Sequence, residues 1–189
     1  MAKYVSGTEK STAACWYLQT TSAGTAPSSS AQAFTRFLLS TDDAGMGIDW
    51  DTEDVSYACE EAAVTVLNSS KWAKSGVVEK IVTTANARGK AVSDFLNGLF
   101  TNAISGDSVT EDYQAYVVYS DLGGSAGDAK ACLCTIQINN KTAAAGEKRG
   151  FEFDILPVGT PVDVTLTAEA VDSTTNEISV NVTLKTSGT

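Results

Sequence analysis

The chain is 189 residues long and 43% apolar, with a mean hydropathy of −0.04, a net charge of −10 and a pI near 4.4. That size supports a single domain with a substantial core, and the composition excludes a disordered chain. The acidic balance repels nucleic acid and anionic membrane, and the densest basic spot, Lys148-Arg149, falls in a predicted turn. The first ten residues hold no apolar run behind their first charge, and no stretch approaches the roughly 20 apolar residues of a membrane span. The expectation is a protein made and kept in the cytoplasm, with Cys15, Cys59, Cys132 and Cys134 reduced.

In chain order, residues 12–20 read as a strand, and Thr21 to Ser30 as a Ser/Thr/Gly/Ala arm, flexible over about 21–31. Residues 32–40 carry Phe34, Phe37, Leu38 and Leu39 and read as a second strand, followed by a long acidic loop over about 41–54. A third extended region runs from Val55 to about Leu67, and the β-branched content of Ser75 to Thr84 makes it a strand.

Asn86 to Gly106 is the one stretch with helical period. Val92, Phe95, Leu96, Leu99, Phe100 and Ala103 recur at gaps of three and one, which predicts an amphipathic helix over about 87–104. Asn86 is its predicted N-cap and Gly106 its stop, and Gly98 inside the stripe predicts a close backbone neighbour. Burying the stripe contributes on the order of 10 kcal/mol before entropy, so Val92, Phe95, Leu96, Leu99 and Phe100 must pack on a sheet.

After the helix, residues 113–120 alternate, a glycine loop follows at 123–127, and Cys132, Cys134, Ile136 and Ile138 share one face of the next strand. Three more alternating runs close the chain, at 151–155, 162–170 and 178–184, the last two joined as a hairpin through Asp172 to Asn176. The fold class is mainly β: an antiparallel β-sandwich or barrel of about eight strands with one flanking amphipathic helix and long loops, in a single domain over 1–189.

Few residues offer chemistry. The chain has no histidine, which removes Ser-His-Asp and Cys-His nucleophiles and every His-based metal site. Arg88-Gly89-Lys90-Ala91 matches only the end of a phosphate-binding loop, with Thr84 where a glycine and Ala91 where a hydroxyl is needed. Asp49, Asp51, Glu53 and Glu60 have calcium-loop spacing, but Asp54 stands at the glycine position and no helix flanks it, so a solvated acidic loop is the better reading. The four cysteines lack a usual zinc spacing and read as small buried hydrophobes. Neither an enzyme nor a cofactor is expected.

From the helix onward the order of features is similar to that of a known family. A Gly-Lys-Ala-Val-Ser-Asp-Phe-Leu helix, a Tyr/Val strand and a glycine loop lead to Gly146-Glu-Lys-Arg-Gly-Phe-Glu-Phe-Asp-Ile-Leu-Pro-Val-Gly-Thr-Pro-Val162. Over Arg88 to about Val171 this resembles the major tail (tail tube) proteins of long-tailed bacteriophages, with Thr160 where the family's second turn often has Asp. The resemblance implies a structural virion protein located in the tail and made in the host cytoplasm. Six copies would form a ring around a continuous inner β-barrel, with the helix outside it. Stacked rings would make a hollow conduit for DNA ejection.

The implied partners are further copies of the chain, other tail proteins such as the tape measure and tail terminator, and double-stranded DNA that passes without specific binding; no membrane is implied. A basic bore would hold the phosphates, whereas an acidic or hydroxyl-lined one lets DNA slide. Glu152, Asp154, Asp163, Thr165, Thr167 and Glu169, on the polar faces of the late strands, are therefore the candidates for lining the lumen. Asp42, Asp43, Asp49 and Asp51 in the acidic loop are candidates for ring-to-ring contact. The competing class is a capsid-decorating or cell-surface adhesin-type β-sandwich binding module, supported by the Ser/Thr-rich C-terminal hairpin.

Overall fold

The computed structural model describes residues 15–21, 24–37, 47–55, 64–79, 87–106, 110–142 and 150–185. The architecture is mainly β, with every strand pairing antiparallel and one α-helix among the described residues. The strands are β1 (Cys15–Leu18), β2 (Gln32–Arg36), β3 (Gly47–Val55), β4 (Val64–Glu79), β5 (Gln114–Ser120), β6 (Gly127–Thr142), β7 (Gly150–Pro157), β8 (Val162–Leu166), β9 (Ala170–Val171) and β10 (Ile178–Leu184). The helix α1 spans Lys90–Ser105, and a 3-10 turn at Thr110–Tyr113 precedes β5.

The architecture turns on β6, which is 16 residues long and shared by two substructures. One of its edges carries β5, from Gln114↔Thr135 to Tyr119↔Lys130. The other edge is divided: Gly127 to Ala131 pairs with β8, and Cys134 to Thr142 pairs with β7. The order β6-β5-β1-β2-β10-β8 returns to β6, so six strands close a barrel and leave no edge there. The far half of β6 continues instead into a wing of β6, β7, β4 and β3. The sandwich-or-barrel alternative is thereby resolved as a closed barrel with a sheet extension.

The chain passes from wing to barrel at the turn Val158-Gly159-Thr160-Pro161. There β7 ends, the Val158 and Gly159 N–H groups both donate to the Leu133 carbonyl at 2.9 and 3.2 Å, and β8 resumes along the same edge of β6. On each side of this crossing the apolar residues face opposite ways. Phe151, Phe153 and Ile155 of β7 join the cluster under the helix, with Trp16, Leu18, Cys132, Cys134 and Ile136. Val164 and Leu166 of β8 point into the barrel, with Cys15, Tyr17, Phe34, Val118, Ala131, Val180 and Val182. β1 serves both cores by simple alternation, Cys15 and Tyr17 inward, Trp16 and Leu18 outward.

Helix α1 lies on the outer core. Val92, Leu96 and Leu99 are buried, and Phe95 and Phe100 pack against the same cluster, Phe100 with its ring centroid 6.4 Å from that of Phe151. Gly106 ends the helix in the left-handed conformation, its N–H reaching the Asn102 carbonyl, as its position predicts.

Four sequence expectations need correction. The helix is capped at Gly89 (φ 82°) rather than at Asn86, which lies outside the described residues. Gly98 is exposed, and a Cβ there would meet nothing within 4 Å, so no close neighbour explains it. The segment read as an acidic loop is, over Gly47–Val55, a strand paired with β4 from Gly47↔Ala73 to Val55↔Val64, because backbone pairing outweighs the weak β-propensity of its Asp and Glu residues. The run read as one strand over 162–170 breaks at 167–169, where Glu169 turns toward Arg36 and Tyr17.

Candidate functional site

Two surfaces are built by this arrangement. The first is the face of the wing opposite the helix. Cross-strand registers Ser75↔Asp154, Gln137↔Asp154 and Val77↔Glu152 set Glu152 and Asp154 beside the polar residues of β4 and β6. Ser75 Oγ and Asn139 Nδ2 both donate to the Asp154 carboxylate, the latter at 2.7 Å, and Gln137 Nε2 donates to Asn139 Oδ1 at 3.0 Å. Lys74 lies on the opposite, helix side of the sheet, level with Ile155, and is buried. The face thus carries carboxylate, amide and hydroxyl groups, which repel phosphate or hold water, beside the apolar Val77 and the exposed Leu156. The outer edge of β3 has no strand partner among the described residues.

The six residues predicted for a single polar surface divide among three places. Glu152 and Asp154 share the wing face. Asp163 and Thr165 point outward from the barrel, across β6 from Lys130 and Asp128: Lys130 donates to Asp163 at 2.7 Å, and Thr165 to Asp128 at 3.3 Å. Lys185 closes a second ion pair on Asp128. Those lysines hold the Asp163 and Asp128 carboxyls below the usual carboxylate range, chiefly through their hydrogen bonds.

Thr167 and Glu169 lie in the link between β8 and β9. Thr167 Oγ1 accepts the Asn181 N–H at 3.0 Å. Glu169 is only 19% exposed at its side chain and accepts two bonds from Arg36 Nη1, at 2.9 and 3.0 Å, and one from Tyr17 OH at 2.9 Å. Burial and that bond to Glu169 push the Tyr17 phenol well above its ordinary value. Glu169 is therefore an internal clamp on β1 and β2, an assignment no sequence pattern marks.

Of the residues predicted for ring-to-ring contact, Asp49 and Asp51 lie in β3, and Asp42 and Asp43 lie outside the described residues. A paired strand is not the loop that a calcium site at Asp49, Asp51 and Glu53 requires. The segment read as an arm is tied to the barrel over 24–31. Gln19 Nε2 reaches the Thr25 carbonyl, Gln32 Nε2 the Ala26 carbonyl, and the Leu184 N–H the Ser28 carbonyl at 2.8 Å, with Pro27 buried. Cys15 faces the barrel interior, whereas Cys132 and Cys134 face the helix side, so these three thiols cannot converge on one ion. Among the described residues no group of three or more Cys, Asp or Glu is arranged to hold a metal.

The second surface is a pocket of about 410 Å³ on the outer face of the barrel, where β5, β6 and the start of β8 meet Trp72 of β4. Its walls include Trp72, Val117, Tyr119, Cys132 and Pro161, and its rim carries Asp121, Asp128, Asp163 and Lys130. Trp16 backs the aromatic wall, its ring centroid 4.9 Å from that of Tyr119 and 5.8 Å from that of Trp72. Burial raises the Cys132 thiol above its ordinary value, and its S–H donates to the Gly159 carbonyl at 3.1 Å, so it is a poor nucleophile there.

A long-range contact joins the helix to the C-terminal hairpin. Glu177, at the base of the Asp172 to Asn176 turn, accepts the N–H groups of Gly89 at 2.9 Å and Ala91 at 2.7 Å. It supplies to the helix N-terminus the cap that Gly89 has no side chain to give. No described helix is long and apolar enough to cross a membrane. No protein-family model and no curated protein matches the chain.

Proposed function

We propose that this chain is the subunit of a phage tail tube, six copies of which form a ring and whose rings stack into a conduit for DNA. The observation that carries the reading is the wing: four strands ending at β3 on an edge that has no strand partner among the described residues, with one face of β4, β6 and β7 sealed by the helix-side core and the other carrying Glu152 and Asp154. A long unpaired edge on a folded domain is a template for pairing with another chain. Joined edge to edge, six such wings, with strands about 4.8 Å apart and tilted about 40°, close a cylinder about 50 Å across at the backbone, wide enough for duplex DNA.

In that arrangement the helix and the small barrel lie outside and the Glu152 and Asp154 face lines the bore. Of the six lumen candidates these two fit best, because Asp163 and Thr165 lie on the opposite face of the shared strand β6 and Glu169 is already engaged. Tape-measure and terminator proteins would be the other partners. Negative-stain electron microscopy of the full chain over a range of concentrations tests the reading. Stacked rings or hollow tubes are expected, and monodisperse small particles at every concentration would count against it and favour a decorating or adhesin-type module.

A further inference from the structure

We propose that the pocket on the outer barrel face is a binding site for an uncharged aromatic small molecule of two or three fused rings. The rim gives a charged ligand no purchase. Lys130 already donates to Asp163 at 2.7 Å, Lys185 and Thr165 already donate to Asp128, and Asp121 is engaged as well. A charge on the ligand would have to displace one of these exposed ion pairs, a trade worth little in water. Polar groups fare no better at the base, where the Cys132 S–H is spent on the Gly159 carbonyl at 3.1 Å. The other walls, Trp72, Val117, Tyr119, Ala129 and Pro161, present rings and aliphatic groups. A ligand amide or carboxylate set against them would lose its water without gaining a partner.

What the walls offer is ring surface on a fixed frame. Trp72 and Tyr119 line the pocket and are only half-buried, each tilted against the buried Trp16, at 42° and 58°. A planar guest extends that series of ring contacts, and each such contact is worth about two- to tenfold in affinity beyond the area it buries. The base is set in advance, because Val117 and Cys132 are buried in the helix-side core and are cross-strand partners between β5 and β6, as are Tyr119 and Lys130. A ligand therefore meets a formed pocket and spends little on ordering it. Volume fixes the scale of the guest. An apolar cavity of about 150 Å³ holds a single benzene ring. A pocket of about 410 Å³ takes two or three fused rings and falls within the size range of small-molecule sites.

Indole, an uncharged molecule of two fused rings, is the probe, and equilibrium dialysis against the full chain is the readout, since it serves free and assembled protein alike. Indole should be retained with half-saturation below about 1 mM. Tyr119→Leu and Trp72→Leu keep apolar bulk but remove a ring, and each should weaken retention about three- to tenfold in a chain that melts as wild type does. Neither cyclohexanol, an uncharged ring without a π face, nor indole-3-acetate, the same rings with a charge, should displace the probe at equal concentration. No retention of indole at about 1 mM overturns the site. Unchanged retention by both variants puts the probe elsewhere and overturns it equally, and displacement by cyclohexanol or indole-3-acetate refutes the selectivity for a planar, uncharged guest. Should a variant melt lower, nuclear Overhauser contacts from indole to the Tyr119 and Trp72 rings of the wild-type chain decide the location, and their absence refutes it.

Discussion

Replacing Glu177 with alanine should destabilise the whole domain, although the residue belongs to a surface hairpin. Its carboxylate accepts two helix N-terminal N–H groups, at 2.9 and 2.7 Å, and the residue is only partly exposed. Loss of an N-cap costs about 0.5–2 kcal/mol, and loss of a negative charge from the positive end of a helix dipole a further 0.3–1 kcal/mol or so. Glu177→Ala should therefore cost about 2 kcal/mol, and Glu177→Gln, which keeps an acceptor but not the charge, about 1 kcal/mol. For a chain of this size that corresponds to a fall in Tm of roughly 4–8 °C for the alanine variant. Urea unfolding followed by circular dichroism gives the free energies, with an unchanged m-value showing that the two-state transition is intact. If alanine costs under about 0.5 kcal/mol, the scale of an ordinary surface change, Glu177 is not the cap and the helix start is held by packing alone.

Gly98→Ala should raise stability by about 1 kcal/mol, since the position is in mid-helix, exposed and open around a Cβ; a loss in the same urea titration would mean that this surface is covered. If the chain assembles into the proposed tube, Glu152→Lys with Asp154→Lys should make it retain duplex DNA at low salt and release it as salt rises, while the wild-type assembly retains none; equal retention by both would remove this face from the proposed bore. The Asp172 carboxylate, which accepts the Thr175 and Thr174 N–H groups at 2.7 Å each, is held below its ordinary value of 3.8 by those bonds. A depressed carboxylate contributes stability that is present above its unfolded pKa and lost as pH falls through its folded one. Asp172→Asn should therefore flatten the fall in urea midpoint as pH drops below about 4, and an unchanged acid limb would show that the turn bonds survive protonation.

The elements that the sequence made legible are those in which one local period decides everything. The stripe from Val92 to Phe100 could only be a helix, and β7, β8 and β10 alternate cleanly enough to be read as strands. Where pairing is set from far away, local pattern fails. β3 is hidden by its acidic residues, and β4 reads as two pieces because Asn68-Ser-Ser-Lys71 interrupts what is one 16-residue strand. The helix start is illegible for the same reason. Its cap is Glu177, 88 residues beyond Gly89 in the chain, and nothing local to residues 86–90 announces it. Glu169 alternates in sequence like a solvent-facing residue, and only the arrival of Tyr17 from β1 and Arg36 from β2, more than 130 residues away in the chain, makes it a clamp.

The division of the predicted polar surface has a deeper cause. Period two states that Glu152 and Asp154 share a face, and that Asp163 and Thr165 share a face, but it carries no information on which side of the sheet the core will lie. Along the shared edge of β6 the core changes sides. Beside β7 it is the helix-side layer, and beside β8 it is the barrel interior, so the polar residues exchange faces with it. The turn from Val158 to Pro161 stands at that exchange, anchored by two hydrogen bonds to Leu133. One surface built from all six residues would need the core to stay on one side, which would leave either Phe153 or Val164 in water. Burying each of these is worth about 1.5–3 kcal/mol, more than an exposed carboxylate gains from its neighbours, so packing decides the faces and the acids follow.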